Sequence, residues 1–130
     1  MIGGMNSPHL PHAASIDAYG NGGFRFAGMS HRGSLLCLPN GIWASPVSSA
    51  GEIDDDALAL ALEPATPDAV IDHFLIGTGK DFVAVSPALR EAFRSHRIVV
   101  ESMSTGAAVR TYNILLGERR RIGALLVAVN

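Results

Sequence analysis

Val70-Ile71-Asp72-His73-Phe74-Leu75-Ile76, closed by Gly77-Thr78-Gly79 and followed by Ser86-Pro87 and then Ile98-Val99-Val100, is the stretch whose reading decides the fold. Its first run is dense in β-branched and other large apolar residues, which suits a central strand buried on both faces. The glycines after it let the backbone turn sharply or approach another element closely. Ser86 offers an N-cap oxygen, and Pro87 sits where a missing N–H and a fixed φ are tolerated at a helix start. From there Leu89, Ala92, Phe93 and His96 share one helical face, while Arg90, Glu91 and Arg94 point the other way. Ile98 to Val100 then predicts a second buried strand. Strand, helix and strand in that order form a parallel crossover, which is right-handed in nearly all sheets and places the chain in the α/β class.

The last third repeats this logic. Ser104 or Thr105 can cap a helix running to about Leu116, with Ala108, Val109, Tyr112, Leu115 and Leu116 on one side and Gly106, Arg110, Asn113 and Gly117 on the other. Gly117 is placed to end it, Arg119-Arg120-Arg121 to lie at the negative end of its dipole, and Ile122 to Val129 to form a final apolar strand. Upstream, Gly22 to Met29 predicts a first strand. Leu35–Leu38 and Ile42–Ala44 flank Asn40-Gly41, which predicts a hairpin with a type I′ turn, Pro39 opposite Ile42 and Leu38 opposite Trp43. Asp54-Asp55-Asp56 before an Ala-Leu run predicts a helix of one or two turns, stopped by Pro64 and Pro67. Residues 1–14, with Gly3, Gly4, Pro8 and Pro11, predict a loose tail, and residues 15–130 a single α/β domain.

Composition bounds the function. In 130 residues, 48% are apolar and 17% charged, enough for a real core. Ten basic against twelve acidic residues leave a net charge of −2, which argues against a nucleic-acid partner. The single cysteine, Cys37, lies among leucines and predicts a buried, inert thiol in a reducing compartment. No run approaches the ~18 apolar residues of a membrane span, so a cytoplasmic location is expected, with any membrane association made through a partner.

The chemistry-bearing residues form no complete constellation. Gly77-Thr78-Gly79-Lys80 has the outline of a phosphate loop, but Phe74 stands where the first glycine belongs and Asp81 where Ser or Thr would bind magnesium. The dinucleotide fingerprint likewise falls on Phe82. Backbone amides around Thr78 could still hold an anion. Arg110 and Asn113, three residues apart on a helix, share a face, so a guanidinium and an amide could converge on a carboxylate, a phosphate or a backbone segment. In the alternative, Arg110 pairs with an acid such as Glu101, and Asn113 satisfies a loop backbone group. His9 and His12 lack further ligands, so neither a metal nor a cofactor is predicted, and no nucleophile elbow accompanies the serines. No catalytic residue is assigned.

Ile76-Gly77-Thr78-Gly79, then Val100-Glu101-Ser102-Met103-Ser104-Thr105, then Ala108-Val109-Arg110-Thr111-Tyr112-Asn113-Ile114-Leu115 with Glu118 and Arg119–Arg121, resemble the successive motifs of the small-domain family that includes mitochondrial respiratory complex I assembly factor 3. The resemblance covers roughly residues 16 to 129. It implies a three-layer α/β domain with a central mixed sheet, two main helices and a protruding hairpin, and a non-catalytic role in assembling a membrane enzyme through protein partners. Two functions follow. The first is an interaction or assembly domain, with Asn40, Trp43, Arg119, Arg120 and Arg121 as the partner surface. The alternative is a small-molecule or anion-binding protein or enzyme, its site lined by Gly77, Thr78, Gly79, Arg110 and Asn113.

Overall fold

The computed structural model describes residues 8–130. Small residues at φ > 0 set the architecture of the first third. Asn21-Gly22 (φ 52° and 80°) and Ala27-Gly28 (φ 50° and 75°) are two-residue reversals with both angles positive, the geometry whose twist matches paired strands. They join β1 (Ala18–Gly20), β2 (Gly23–Phe26) and β3 (Met29–Arg32) into a small antiparallel sheet. The stretch expected as one strand from Gly22 to Met29 is therefore two half-strands, broken where Ala27 and Gly28 reverse the chain.

The expected hairpin forms from β4 (Ser34–Leu38) and β5 (Gly41–Ser45), with a different turn. Leu38 pairs with Gly41, Cys37 with Ile42 and Leu36 with Trp43, so the loop residues are Pro39 and Asn40, and neither Asn40 nor Gly41 has a positive φ. Proline explains the shift. Its ring holds φ near −65°, which suits the first loop position of a type I turn, with glycine favoured as the residue after the loop.

β6 (His73–Gly77), β7 (Val99–Met103) and β8 (Ile122–Leu126) complete a mixed five-stranded sheet in the order β5-β4-β8-β6-β7. β6 runs parallel to both β7 and β8, and β4 antiparallel to β8. The expected crossover is present, with α2 (Pro87–Ser95) between β6 and β7, and α3 (Thr105–Gly117) leads from β7 to β8. The first connection steps outward along the sheet and the second steps back across β6. A constant hand for both puts the two helices on opposite faces.

Alternation along the strands then builds two cores. Leu36, Leu38, Trp43, Phe74, Ile76 and Leu125 face α2, with Leu89 and Phe93, and α1 (Ala59–Leu62) closes this layer. Leu35, Cys37, Ile42, Leu75, Ala124 and Leu126 face α3, with Tyr112, Val109 and the small sheet's Phe24 and Phe26. The result is the three-layer α/β arrangement. β7, expected as a buried strand, is an edge strand, and its Val99 is 59% exposed. The other edge is covered: residues 8–10 of the expected tail lie against β5, where the His9 amide donates to the Ile42 carbonyl (2.7 Å) and the Ile42 amide to the Leu10 carbonyl (2.9 Å). Residues 1–7 of that tail fall outside the described residues.

Both main helices start on the serines expected. Ser86 Oγ accepts from the Leu89 amide (3.2 Å) and Ser104 Oγ from the Ala107 amide (3.4 Å). Each ends in a Schellman pair: Ile98 to Phe93 and Arg97 to Arg94 for α2, Arg120 to Leu115 and Arg119 to Leu116 for α3. The left-handed position belongs to Arg97 and Arg119 (φ 61° each), so Gly117 remains the last helical residue rather than the terminator.

Candidate functional site

The Gly77-Thr78-Gly79 loop leaves the end of β6 beside the N-terminus of α3, where parallel strands of an α/β sheet commonly present ligand sites. Its hydrogen bonds go elsewhere. The Thr78 amide donates to the Met103 carbonyl (2.8 Å), and the Gly79 amide to Thr105 Oγ1 (2.9 Å). Thr78 Oγ1 is within donating distance of the Asp81 carbonyl (2.7 Å) and the Met103 carbonyl (3.1 Å), and accepts from the Val83 amide (3.0 Å). Gly77 has a steric role as well: a Cβ there would meet Thr105 Cα at 3.0 Å and Ala108 Cβ at 3.1 Å, so the loop and α3 approach within reach only of glycine.

Thr105 is the hub, and the sequence did not single it out beyond a cap. Because Ser104 takes the capping role, the Thr105 hydroxyl is free to accept from Gly79 and to donate to the Val127 carbonyl (2.7 Å), while the Thr105 amide donates to the Gly79 carbonyl (2.8 Å). It is fully buried. One hydroxyl thus ties the ends of β6, β8 and α3, and the Val127 amide bonding to the Gly77 carbonyl (2.9 Å) closes the set.

Asn113 stands half-buried on the flank of α3, beside the sheet-facing Val109 and Tyr112. Its Oδ1 accepts from the Ile16 amide and its Nδ2 donates to the Ile16 carbonyl, both at 2.8 Å, a two-pronged clasp on the incoming chain. Two turns earlier the Tyr19 ring lies over Gly106, so residues 16–19 occupy the glycine-marked face. Arg110 is exposed on the same helix. Glu101, named as a partner for it, pairs instead with His73 (Oε1 to Nε2, 2.8 Å). An open cleft of about 610 Å³ borders Thr78, Gly79, Lys80, Ser48, Ser49 and Asn130, and neither Arg110 nor Asn113 lines it. The two halves of the expected ligand site are thereby separated.

Of the expected partner surface, Arg119, Arg120 and Arg121 are exposed on the turn between α3 and β8. Trp43 is not: it is 7% exposed and packs in the α2-side core, paired with Leu36 on the face that Leu36 and Leu38 share. Asn40 is half-buried at the turn. Cys37 is fully buried beside Tyr112, and burial pushes its thiol up to about 12 and the tyrosine hydroxyl upward as well. Among the described residues no helix is long and apolar enough to cross a membrane.

Sequence reasoning also passed over the arginines of α2. Arg90, Arg94 and Arg97 border an open groove of about 660 Å³ between that helix and β7, with Glu91 the one acid on its wall. Their helical spacing was legible, but not their position beside a free strand edge.

A model of the family described as "Protein of unknown function (DUF498/DUF598)" matches residues 16–127. An uncharacterised protein of Rhodobacter capsulatus is 38% identical over 120 residues, 92% of this chain and 89% of its own length. The mouse NADH dehydrogenase [ubiquinone] 1 alpha subcomplex assembly factor 3 is 32% identical over 120 residues, 91% of this chain, which spans 62% of the mouse protein. A crystal structure described as an outer membrane protein from Bartonella henselae superimposes with a TM-score of 0.86 at 47% identity, covering 94% of this chain and 100% of that one.

Proposed function

We propose that this chain, which belongs to the DUF498/DUF598 family, is a non-enzymatic domain that holds protein partners during assembly of a larger complex. It works in the cytoplasm and reaches any membrane through a partner. The observation that carries this reading is the engagement of the loop: the amides of Thr78 and Gly79, the hydroxyls of Thr78 and Thr105 and both ends of the Asn113 amide all bond to the chain's own groups. What would otherwise be ligand contacts stitch helix to sheet. Exposed arginines and an open strand edge remain on the outside. The name of the mouse relative, an assembly factor, supports the same reading.

Affinity capture from the native cell tests it, using tagged wild type, Arg110→Ala and an Arg119/Arg120/Arg121 triple alanine variant, each shown to melt as wild type does. An arginine anchor costs ~2 kcal/mol or more on truncation, about thirtyfold in affinity. A specific protein retained by wild type and Arg110→Ala and lost by the triple variant is the expected result. Failure to retain any protein, together with turnover in a metabolite screen that disappears in Arg110→Ala, would refute the reading in favour of an enzyme.

A further inference from the structure

The two edges of the five-stranded sheet are treated differently. The β5 edge is covered by residues 8–10, through main-chain bonds at Ile42. The β7 edge has no strand paired to its outer side among the described residues. The Val99 amide bonds to the Asp72 carbonyl and the Met103 carbonyl accepts from Thr78, so the odd-numbered residues of β7 direct their backbone groups toward β6. By alternation, the N–H and C=O of Val100 and Ser102 face outward, unpaired by any strand. Proteins ordinarily blunt such an edge with proline, a bulge or a covering loop. Among the described residues β7 has none of these; its one charged side chain, Glu101, is paired with His73, and it exposes Val99.

Beside this edge the α2 wall of the groove presents Arg90 and Arg94, one helical turn apart, with Arg97 at the base. Glu91 offsets little of this charge: it lies 3.9 Å from Arg94, with both side chains mostly in solvent. Residues four apart on a helix are separated by about 6 Å along its axis, and alternate residues of an extended strand by about 6.6 Å. Carboxylates at alternate positions of an added strand therefore match the arginine spacing, while the intervening residues fall on the Val99 side. A second copy of this chain suits the edge badly. Antiparallel pairing of β7 with β7 would bring two sets of the same arginines together on one face of the joined sheet.

We propose that β7 accepts an extended acidic segment of a partner protein as a sixth strand, with alternate Glu or Asp side chains on Arg90, Arg94 and Arg97. This rests on the partner-holding reading and adds to the Arg119–Arg121 turn a second contact through which the partner is held.

The test uses the full-length chain and a fluorescein-labelled, end-blocked octapeptide alternating Val and Glu, with a Val/Lys peptide as control. Saturable anisotropy is expected for the acidic peptide alone, with protection of the Val100 and Ser102 amides from hydrogen exchange. Arg90→Glu/Arg94→Glu should weaken binding at least tenfold. So should Ser102→Pro, which removes an outward N–H while leaving the β6 ladder intact, and a thermal melt checks that this variant is folded. Equal binding of the basic peptide would overturn the proposal. Loss through the arginine variant but not through Ser102→Pro, with no amide protection, would also overturn it, since the contact would then be charge alone. A wild-type dimer in sedimentation that Ser102→Pro dissolves would assign the edge to a second copy and overturn it too. A captured cellular partner insensitive to both variants would overturn the edge assignment while leaving the partner-holding reading in place; peptide binding with no captured partner would do the reverse.

Discussion

Replacing Thr105 with valine isolates the junction where α3, β6 and β8 meet. Valine matches threonine in shape and exchanges the hydroxyl for a methyl, so packing is kept and two hydrogen bonds are lost: from the Gly79 amide (2.9 Å) and to the Val127 carbonyl (2.7 Å). Both partners are buried groups around a side chain with no exposed surface. A buried backbone group left without a partner costs ~1–3 kcal/mol, so two such groups predict a loss of about 3 kcal/mol. Against a total stability of about 5–15 kcal/mol this is a large fraction. With a urea m-value of about 2 kcal/mol/M for a chain of this size, the midpoint should fall by about 1.5 M. Trp43, the only tryptophan, is buried and reports the transition by fluorescence. Thr105→Ser keeps the hydroxyl and loses one methyl, so it should cost only ~1 kcal/mol. Exchange at the Gly79 amide should accelerate in the valine variant and not in the serine variant. If valine and serine shift the midpoint equally, or valine shifts it by less than about 0.5 M, the hydroxyl is not the tie described here.

Asn113→Ala removes both bonds to Ile16 and should destabilise by about 2 kcal/mol in chemical denaturation; a change within 0.5 kcal/mol would mean that residues 16–19 hold to α3 by packing alone. Cys37, buried and held almost entirely as the thiol, should resist a thiol reagent at pH 8 in the native state and react on unfolding, and rapid native labelling would contradict its placement. Burial and the neighbouring His9 hold the His31 imidazole below its ordinary value of 6.5, opposed in part by its hydrogen bond to the Ser34 carbonyl. The unfolded chain then binds the extra proton in the window just below 6.5, so stability is full above that pH and declines as pH falls through it. Melting temperatures between pH 5 and 8 should slope less in His31→Gln, and an unchanged slope would dismiss His31 as the source.

Signals contained within one element were legible, and those completed across the fold were not. Ser86-Pro87 and Ser104 marked the helix starts because a cap is satisfied within one turn. The crossover of β6, α2 and β7 followed from its periods. The dipeptide Asn-Gly occurs at 21–22 and 40–41. The second predicts a type I′ turn by composition, but Pro39 settles that loop differently, and the first is the one with both positive angles. Both loops carry the residues such turns favour, and what separates them is which flanking strands pair. Asn113 was legible as a residue that could grip a backbone segment, yet that the segment is Ile16, 97 positions away, is a tertiary fact. Trp43 faces the same side of the sheet whether it pairs with Leu38 or Leu36, and what the local sequence does not show is that α1 and α2 cover that side. Thr105 was legible only as a possible cap and not as a tie between strands, since its partners lie 26 and 22 residues away.

The place of β8 in the sheet has a consequence for how the protein is made. It lies between β4 and β6, yet it is translated after every other strand. A ribosome that has produced residues 8–121 has therefore released a hairpin and a crossover unit with nothing between them, each exposing one apolar flank that only β8 can cover. Such a nascent chain cannot close its sheet stepwise from the N-terminus, and closure awaits the segment from Ile122 to Leu126. Until that segment emerges, the open flanks of β4 and β6 are the surfaces a chaperone would shield and where two unfinished chains would aggregate.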